Sequence, residues 1–379
     1  MFGNYTDGDT PVPKYRLTRF LGKGGFGTVW EALGPGKVRV ALKVIALSGS
    51  GKQGRKEFRA IRMMKNISQA HLVPIYALWL KDQNGDLMDD WLADTGNLAL
   101  TQAVESDTRR PCELIIAMGL GEKSLFDRLK ECQAEGKPGV PVEELLDYMY
   151  QSARGIDFLN DPIHDMGEKH KIAIQHCDIK PQNIMLVGGV AQVVDFGLAK
   201  PLHQTQVAMT AGVAATLAYA PPELLTKVGP TRGTDQYSLA VSYYELRTGR
   251  LPFPEDVTVA EVIEAHTQSK LDFSHVSERE QSILRKATVA DASERFESAT
   301  ELVRKLKRAL KPRKKQGAGR ASRIESGQRL GLGFTAKQLL VQTPTDHIWK
   351  AYAPGVGKLM AVALSDVRNR REGVDFEAL

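Results

Sequence analysis

The amino-acid sequence predicts a two-lobed α+β fold. A small antiparallel β-sheet lobe with one helix precedes a large, mainly helical lobe and a short C-terminal extension. Residues 15–30 alternate apolar and polar side chains around a glycine cluster, and residues 38–47 form an apolar run typical of a buried strand. After residue 142, apolar residues recur at helical spacing. The helices predicted there span residues 142–159, 234–249, 257–267, 278–288 and 297–310.

The first part of the chain also contains one predicted helix and two further strands. Residues 55–67 carry apolar side chains at the spacing of one helical face, namely Phe58, Ile61, Met64 and Ile67. Strand-like runs follow at 72–80 and 112–118. The long polar segment between them predicts a surface loop.

The composition of the sequence changes after Lys311. The stretch "KPRKKQGAGRASRIESGQRLG" is basic, glycine-rich and aperiodic, which is typical of a linker. Strand-like runs return at 334–365 and predict a hairpin. The predicted divisions are an N-terminal extension (1–14), a folded domain (15–311, divided into 15–120 and 121–311), a linker (312–333) and a C-terminal extension (334–379).

Length and composition are those of an ordinary globular protein. Of the 379 residues, 42% are apolar and 25% charged. The apolar runs fall well short of the roughly 18 residues that a membrane-spanning helix needs, and the first residues lack the pattern of a signal peptide. Three cysteines without paired spacing argue against a disulfide framework or a zinc site. We expect a soluble protein of the reduced cytoplasm.

The net charge of +6 has a local origin. Residues 304–323 hold ten Lys or Arg and no acid, and the rest of the chain carries 41 basic and 45 acidic residues. Such a stretch predicts attraction to an acidic partner or an anionic surface. It lacks aromatic residues for base stacking, which argues against nucleic acid. A solvated helix end that runs into a flexible linker explains the same pattern.

The glycine cluster "GKGGFGTV" fits the pattern G-x-G-x-x-G at Gly22, Gly24 and Gly27. In dinucleotide-binding folds these glycines open a helix, and an acid follows about twenty residues later. Here the chain continues as a strand, turns at "GPGK" and returns as another strand. Glycines between two antiparallel strands form a flap whose N–H groups can approach phosphate oxygens. An ordinary glycine-rich hairpin has the same pattern.

Lys43 lies in the middle of the apolar strand "VALKVI". A buried ammonium group is costly unless it is paired, and a phosphate or a carboxylate would both serve as partner. The alternative is a lysine at a strand edge that reaches water.

The stretch "QHCDIKPQN", residues 175–183, predicts the chemistry of the site. Asp178 can accept a hydroxyl proton, and Lys180 can offset charge on a transferred group. Asn183 supplies an amide oxygen, and Asp195 follows an apolar strand at a glycine turn, so both are suited to hold Mg²⁺. The predicted target is the γ-phosphate of a nucleotide.

With these motifs in this order, the chain resembles the protein kinase superfamily, specifically the bacterial eukaryotic-like (Hanks-type) Ser/Thr kinases. The resemblance runs from about Tyr15 to Leu310. It rests on the Gly-rich loop, "VALK", "HCDIKPQN", "DFG", "PPE", "DQYS" and a late arginine. It implies transfer of the γ-phosphoryl group of ATP to Ser or Thr hydroxyls of protein substrates. The implied cofactors are ATP and Mg²⁺, with Mn²⁺ as the alternative metal.

The resemblance also implies a role for each matching residue. Asp178 would be the catalytic base, assisted by Lys180 and Lys43, while Asn183 and Asp195 would bind the metal. The implied ATP-binding residues are Leu21, Gly22, Lys23, Gly24, Gly25, Phe26, Gly27, Val29, Ala41, Lys43, Met118, Gly119 and Gly121. The implied structural residues are Glu57, His176, Glu223 and Arg295, of which the last two would pair. Lys180 and Thr216 resemble the Ser/Thr branch of the family.

Two positions depart from the family pattern. Cys177 replaces the arginine that clamps a phosphorylated activation loop, so we expect no requirement for phosphorylation of that loop. Ala60 occupies the place of the glutamate that pairs with Lys43. Glu57 lies about one helical turn away and is the expected substitute.

The sequence leaves two other classes of function open. A catalytically weak pseudokinase, acting as a nucleotide-binding or scaffolding module, is favoured by the missing glutamate. A small-molecule kinase is disfavoured by the intact segment from "DFG" to "PPE". The protein substrate, the regulatory input, the oligomeric state and the role of residues 334–379 do not follow from the sequence.

Overall fold

A computed structural model describes residues 4–24, 27–47, 67–88, 111–164, 171–195, 200–201 and 217–311. It also describes the backbone of three strands between 335 and 365. The chain divides into two compact units, Met1–Lys311 and Pro312–Leu379. Residues 55–66 of the helix predicted at 55–67 and most of the polar segment before residue 112 lie outside the described residues, and Ile67 itself is not helical.

The first unit begins with a five-stranded antiparallel sheet in the order β1-β2-β3-β5-β4. Its strands are β1 (Arg16–Gly24), β2 (Gly27–Leu33), β3 (Arg39–Ala46), β4 (Ile75–Lys81) and β5 (Glu113–Met118). Because side chains alternate between the faces of a sheet, Leu42 packs on one face and its neighbour Ala41 on the other. The strand predicted from residue 72 begins three residues later, at Ile75.

Helices dominate the rest of this unit. They are α1 (Leu125–Ala134), α2 (Val142–Asn160), α3 (Pro222–Leu225), α4 (Thr234–Thr248), α5 (Val259–Thr267), α6 (Glu278–Ala287) and α7 (Ala299–Leu310). Helix α4 lies at the centre of the core, with Tyr237, Tyr243 and Tyr244 at most 1% exposed. The five predicted helices agree with the structure to within two residues at each end, and the predicted α+β architecture is confirmed.

Helix α1 was not predicted. It begins with a capping box, in which the Ser124 side chain accepts from the Asp127 N–H and the Asp127 carboxylate accepts from the Ser124 N–H. Leu125, Leu129 and Cys132 anchor it in the core.

Five short strands place the loops of the large lobe. They are β6 (Lys123–Ser124), β7 (Ile174–Gln175), β8 (Ile184–Val187), β9 (Val190–Val193) and β10 (Lys200–Pro201). Strands β6, β8 and β9 form one small antiparallel sheet, and β7 pairs with β10. The segment 176–183 therefore connects β7 to β8, and Asp195 follows β9.

The second unit contains a three-stranded antiparallel sheet. Its strands are β11 (Thr335–Gln342), β12 (Asp346–Ala353) and β13 (Lys358–Ser365), paired in chain order. The predicted hairpin is thus extended by one strand, because each of the three apolar runs pairs with the next. Among the described residues of both units, no helix is long and apolar enough to cross a membrane.

Candidate active site

The loop between β7 and β8 brings three of the predicted site residues together. Lys180 Nζ lies 2.9 Å from both carboxylate oxygens of Asp178. The Asn183 amide nitrogen donates at 2.8 Å to the Asp178 carboxylate and at 2.8 Å to the Asp178 carbonyl oxygen. Both amide hydrogens of Asn183 are used in this way, which leaves the amide oxygen as the atom that can serve as a metal ligand.

His176 joins this loop to the strand that precedes Asp195. Its Nδ1 accepts the Asp178 N–H at 3.2 Å, so the neutral ring carries its proton on Nε2 and donates to the Val194 carbonyl at 2.7 Å. The Val194 N–H in turn donates to the Asn183 carbonyl at 3.0 Å. The loop is therefore held to the residue immediately before Asp195 by two hydrogen bonds of opposite direction.

Asp235, at the start of helix α4, holds the same loop from the core. Its two carboxylate oxygens accept the main-chain N–H groups of His176 and Cys177, each at 2.8 Å. Complete burial raises the pKa of Asp235, while the two N–H donors favour its charged form. These bonds fix Cys177 at a φ of 63°, in the left-handed region that residues other than glycine seldom adopt.

In the sequence, Asp235 stands out only as part of the motif "DQYS", and its contact with the loop was not predicted. The available signal was an acid two residues before the apolar and aromatic stretch "YSLAVSYY". Such an acid must be paired if the helix is buried.

Lys43 forms a short ion pair with Asp195. Lys43 Nζ lies 2.7 Å from Asp195 Oδ1, and the exposed fractions of the two side chains are 9% and 30%. Asp195 adopts a φ of 66°, which turns the chain sharply after β9. The carboxylate predicted to pair with Lys43, Glu57, lies outside the described residues. Among the described residues, the carboxylate that contacts the Lys43 ammonium group is that of Asp195.

A small apolar cluster joins the sheet to neighbouring loops. Ala41, Val73 and Met118 form a buried cluster, against which Val29, Leu120 and Val194 pack. Of the residues predicted to bind ATP, this cluster contains Val29, Ala41 and Met118. Leu21 and Lys23 are exposed, Gly22 is half-buried, and Gly25 and Phe26 lie outside the described residues.

Close contacts require glycine at positions 27 and 121. Gly27 has a φ of 142°, and a Cβ there would lie 1.9 Å from the Val44 carbonyl oxygen. A Cβ on Gly121 would lie 2.6 Å from Met185 Cε and 2.9 Å from Met185 Cβ. Met185 therefore occupies the space that a side chain at 121 would need, a contact that sequence reasoning did not identify.

Glu223 and Arg295, for which the resemblance implied a structural pair, form an ion pair in the large lobe. The guanidinium group donates to both carboxylate oxygens at 2.9 Å, and the Arg295 side chain is fully buried. Arg295 also donates to the carbonyls of Val289, Gly233 and Ala290. The pair ties the segment around α3 to the chain before α7.

Comparison with known proteins agrees with this geometry. The family model described as the protein kinase domain matches residues 15–308. The serine/threonine-protein kinase drp72 of Corynebacterium efficiens is 30% identical over 300 residues, which are 77% of this chain and 50% of the relative. The serine/threonine-protein kinase PknA of Corynebacterium glutamicum is 29% identical over 297 residues, 76% of this chain and 54% of the relative.

A more distant similarity covers most of both chains. Myosin light chain kinase A of Dictyostelium discoideum is 26% identical over 307 residues, which are 77% of this chain and 88% of the relative. By contrast, the chain spans about half the length of the two corynebacterial relatives.

Proposed function

The chain belongs to the protein kinase family, and from this premise we propose that it transfers the γ-phosphoryl group of ATP to Ser or Thr hydroxyl groups of proteins. The observation that carries the proposal is the pairing of Asp178 with Lys180 and Asn183, joined through His176 to Val194, the residue before Asp195. The names of the bacterial relatives support the choice of Ser and Thr as acceptors.

The donor set fits a hard divalent cation. Asn183 offers an amide oxygen, and Asp195 offers a carboxylate group that it shares with Lys43. Mg²⁺ prefers oxygen ligands and is ordinarily held by one or two protein groups together with substrate phosphates. These two residues would hold Mg²⁺, and Mn²⁺ suits the same oxygens. When bound, the ion offsets the negative charge of the phosphates.

The protein residues then have separate tasks. The Asp178 carboxylate would accept the proton of the attacking hydroxyl group, and its orientation is fixed by Asn183 and Lys180. Lys180 would offset charge on the transferred group. Lys43 would bind the phosphates of the nucleotide after giving up part of its contact with Asp195. The buried cluster around Ala41 and Met118 would enclose the adenine and exclude water from it.

A phosphate-transfer assay tests the proposal. Wild-type protein, radiolabelled ATP, Mg²⁺ and a generic protein substrate should yield labelled protein. Asp178→Asn should abolish transfer because it removes the base and keeps the shape, whereas Asp161→Asn at the exposed end of α2 should leave it unchanged. Wild-type protein that binds ATP yet labels no protein would support the pseudokinase, and label confined to a small molecule would support a small-molecule kinase.

We also propose that transfer does not require phosphorylation of the activation loop. Residue 177 is a half-buried cysteine, which cannot bind a phosphate as an arginine does. Its backbone is already held by Asp235.

For the basic stretch 304–323 we propose an acidic partner or an anionic surface. Two of its lysines form ion pairs within the described part of the domain: Lys307 with Asp147 at 2.7 Å and Lys305 with Glu301 at 3.6 Å. Binding to vesicles with and without anionic lipid, measured against salt concentration, tests this proposal. Binding that is insensitive to both lipid charge and salt would contradict it.

A further inference from the structure

The buried cluster of Ala41, Val73 and Met118, which would enclose the adenine, is called the nucleotide cluster below. The N-terminal strap, residues 4–14, packs on the opposite face of the five-stranded sheet. Val12 is 2% exposed and belongs to the same core as Leu17 and Trp30. The Gly8 N–H donates to the Leu17 carbonyl at 3.0 Å, and the Leu17 N–H donates to the Asp9 carbonyl at 2.9 Å. The strap therefore binds strand β1, which leads into the glycine-rich turn.

Tyr5 attaches the other end of the strap to strand β5. Its hydroxyl donates to Glu113 Oε2 at 2.5 Å and accepts from Lys81 Nζ at 3.1 Å. Glu113 is 1% exposed, and among the described residues its other oxygen, Oε1, has no hydrogen-bond partner. Tyr5 thus supplies a hydrogen bond that a buried carboxylate needs.

Burial and the contact with Glu113 raise the pKa of the Tyr5 phenol, so it remains a proton donor throughout the physiological range. Lys81 also lies over the Tyr5 ring, 5.4 Å from its centroid. Three groups on β4, β5 and the strap are therefore joined at one point.

The face covered by the strap and the face that lines the nucleotide cluster belong to the same strands. Trp30, Leu42 and Ala117 lie in the core under the strap. Their chain neighbours Val29, Ala41 and Met118 lie in the nucleotide cluster. Because successive residues of a strand point to opposite faces, packing on the strap side determines where the cluster residues lie.

We propose that Tyr5 is a positioning residue for nucleotide binding, which acts through Glu113 and the sheet rather than by contact with the ligand. The identity of the ligand as ATP rests on the proposed function. Loss of the phenol oxygen deprives the buried Glu113 of its partner and loosens the strap. Strands β1 and β5 can then shift from the positions that they have in the wild-type protein. The effect should appear in nucleotide affinity, since Asp178 and Lys180, which would accept the proton and offset charge on the transferred group, belong to the large lobe.

A double-mutant cycle tests the proposal. The full-length variants are Tyr5→Phe, Glu113→Gln, the double variant, and Tyr76→Phe as control, because Tyr76 is a 49%-exposed tyrosine on the same sheet. We expect Tyr5→Phe to raise the Kd and the KM for ATP about fivefold, with kcat and the KM for protein substrate within about twofold of wild type. Glu113→Gln in the Tyr5→Phe background should restore part of the affinity, because it removes the unpaired buried charge.

Direct measurement of the Kd for ATP keeps this test separate from that of the proposed function. If the wild-type protein binds ATP but transfers no phosphoryl group, the series of Kd values still decides the role of Tyr5. Values for Tyr5→Phe within about 1.5-fold of wild type would overturn the proposal. A lower kcat or a smaller active fraction with unchanged Kd would equally overturn it, since it would show a structural role alone.

Discussion

Asp235 accepts the main-chain N–H of Cys177 at 2.8 Å, across 58 residues of sequence. The same carboxylate accepts the N–H of His176, so the backbone before Asp178 is held from the core of the large lobe. This contact uses backbone atoms of the loop, and it does not depend on the side chain at position 177.

The first prediction concerns the activation loop. With cysteine at 177, phosphate on Thr205 or Thr210 lacks the cation that would bind it in related kinases, and both threonines lie outside the described residues. We expect the double variant Thr205→Ala, Thr210→Ala to change kcat by less than about threefold, or roughly 0.7 kcal/mol. Initial rates before and after phosphatase treatment provide the measurement. A tenfold fall on dephosphorylation would show that another basic residue binds the phosphate.

The second prediction concerns Asp235 itself. Asp235→Asn presents an amide nitrogen to one of two N–H donors, so one of the two loop contacts is lost and the left-handed conformation of Cys177 is no longer enforced. We expect kcat to fall about a hundredfold or more, which corresponds to roughly 2.7 kcal/mol of transition-state stabilisation. Asp256→Asn, at an exposed position of the same lobe, serves as the control and should leave kcat unchanged. Near-normal kcat in Asp235→Asn would show that the loop holds its shape unaided.

The third prediction concerns Lys43, which contacts Asp195 at 2.7 Å. In the proposed function these two groups bind the nucleotide and its metal, so another carboxylate would have to keep Lys43 in place during turnover. If Glu57 has that task, Glu57→Ala should lower kcat/KM at least tenfold, about 1.4 kcal/mol, and Ala60→Glu should be neutral or harmful. Full activity of Glu57→Ala, with loss at a different acid, would show that the helix register assumed here is wrong.

The fourth prediction concerns stability at the Glu223–Arg295 pair. Arg295→Ala would leave Glu223 buried without its partner, which costs about 3–5 kcal/mol of unfolding free energy. Chemical denaturation measures this loss. Replacing both residues, with Glu223→Gln and Arg295→Met, should recover part of it because no uncompensated charge remains. An Arg295→Ala protein as stable as the wild type would contradict this account.

The fifth prediction concerns acid stability. Burial lowers the pKa of His266 from 6.5 to about 4, and its Nδ1 lies 2.7 Å from the Tyr237 hydroxyl oxygen. Between these pKa values the unfolded chain binds the proton and the folded chain does not. The folded state therefore has its full stability above about pH 6.5 and loses part of it as the pH falls toward 4.

The melting temperature measured against pH checks this prediction. The loss on acidification amounts to about 3 kcal/mol when the shift of the pKa is converted to free energy. His266→Gln should flatten the decline between pH 6.5 and 4, and the exposed His275→Gln serves as control. An unchanged slope in His266→Gln would assign the acid sensitivity to other groups.

Much of the fold was predictable because apolar spacing reports which face of an element is buried. Helices α2 and α4 to α7 and strands β3 and β5 carry such spacing. Helix α1 was not predicted, because its stretch "LFDRLKECQA" is rich in charge, although the Ser124 and Asp127 capping box was present in the sequence.

The candidate site was likewise predictable only in part. Lys43, Asp178, Asn183 and Asp195 belong to short motifs whose order identifies the family, and the structure brings the last three into neighbouring loops. Asp235 and Met185 act through contacts between segments that are distant in the chain. No local pattern encodes such contacts, so their roles followed only once the fold was known.

The bond between Cys177 and Asp235 also has a consequence for synthesis of the protein. Chains grow from the N-terminus at about 5–20 residues per second, so the carboxylate follows the loop that it holds by about 3 to 12 seconds. Arg295 follows its partner Glu223 by 72 residues, and so arrives later still. The loop that bears Asp178 therefore emerges from the ribosome without its anchor, and a nascent chain acquires the geometry proposed for phosphoryl transfer only after the start of helix α4 has been made.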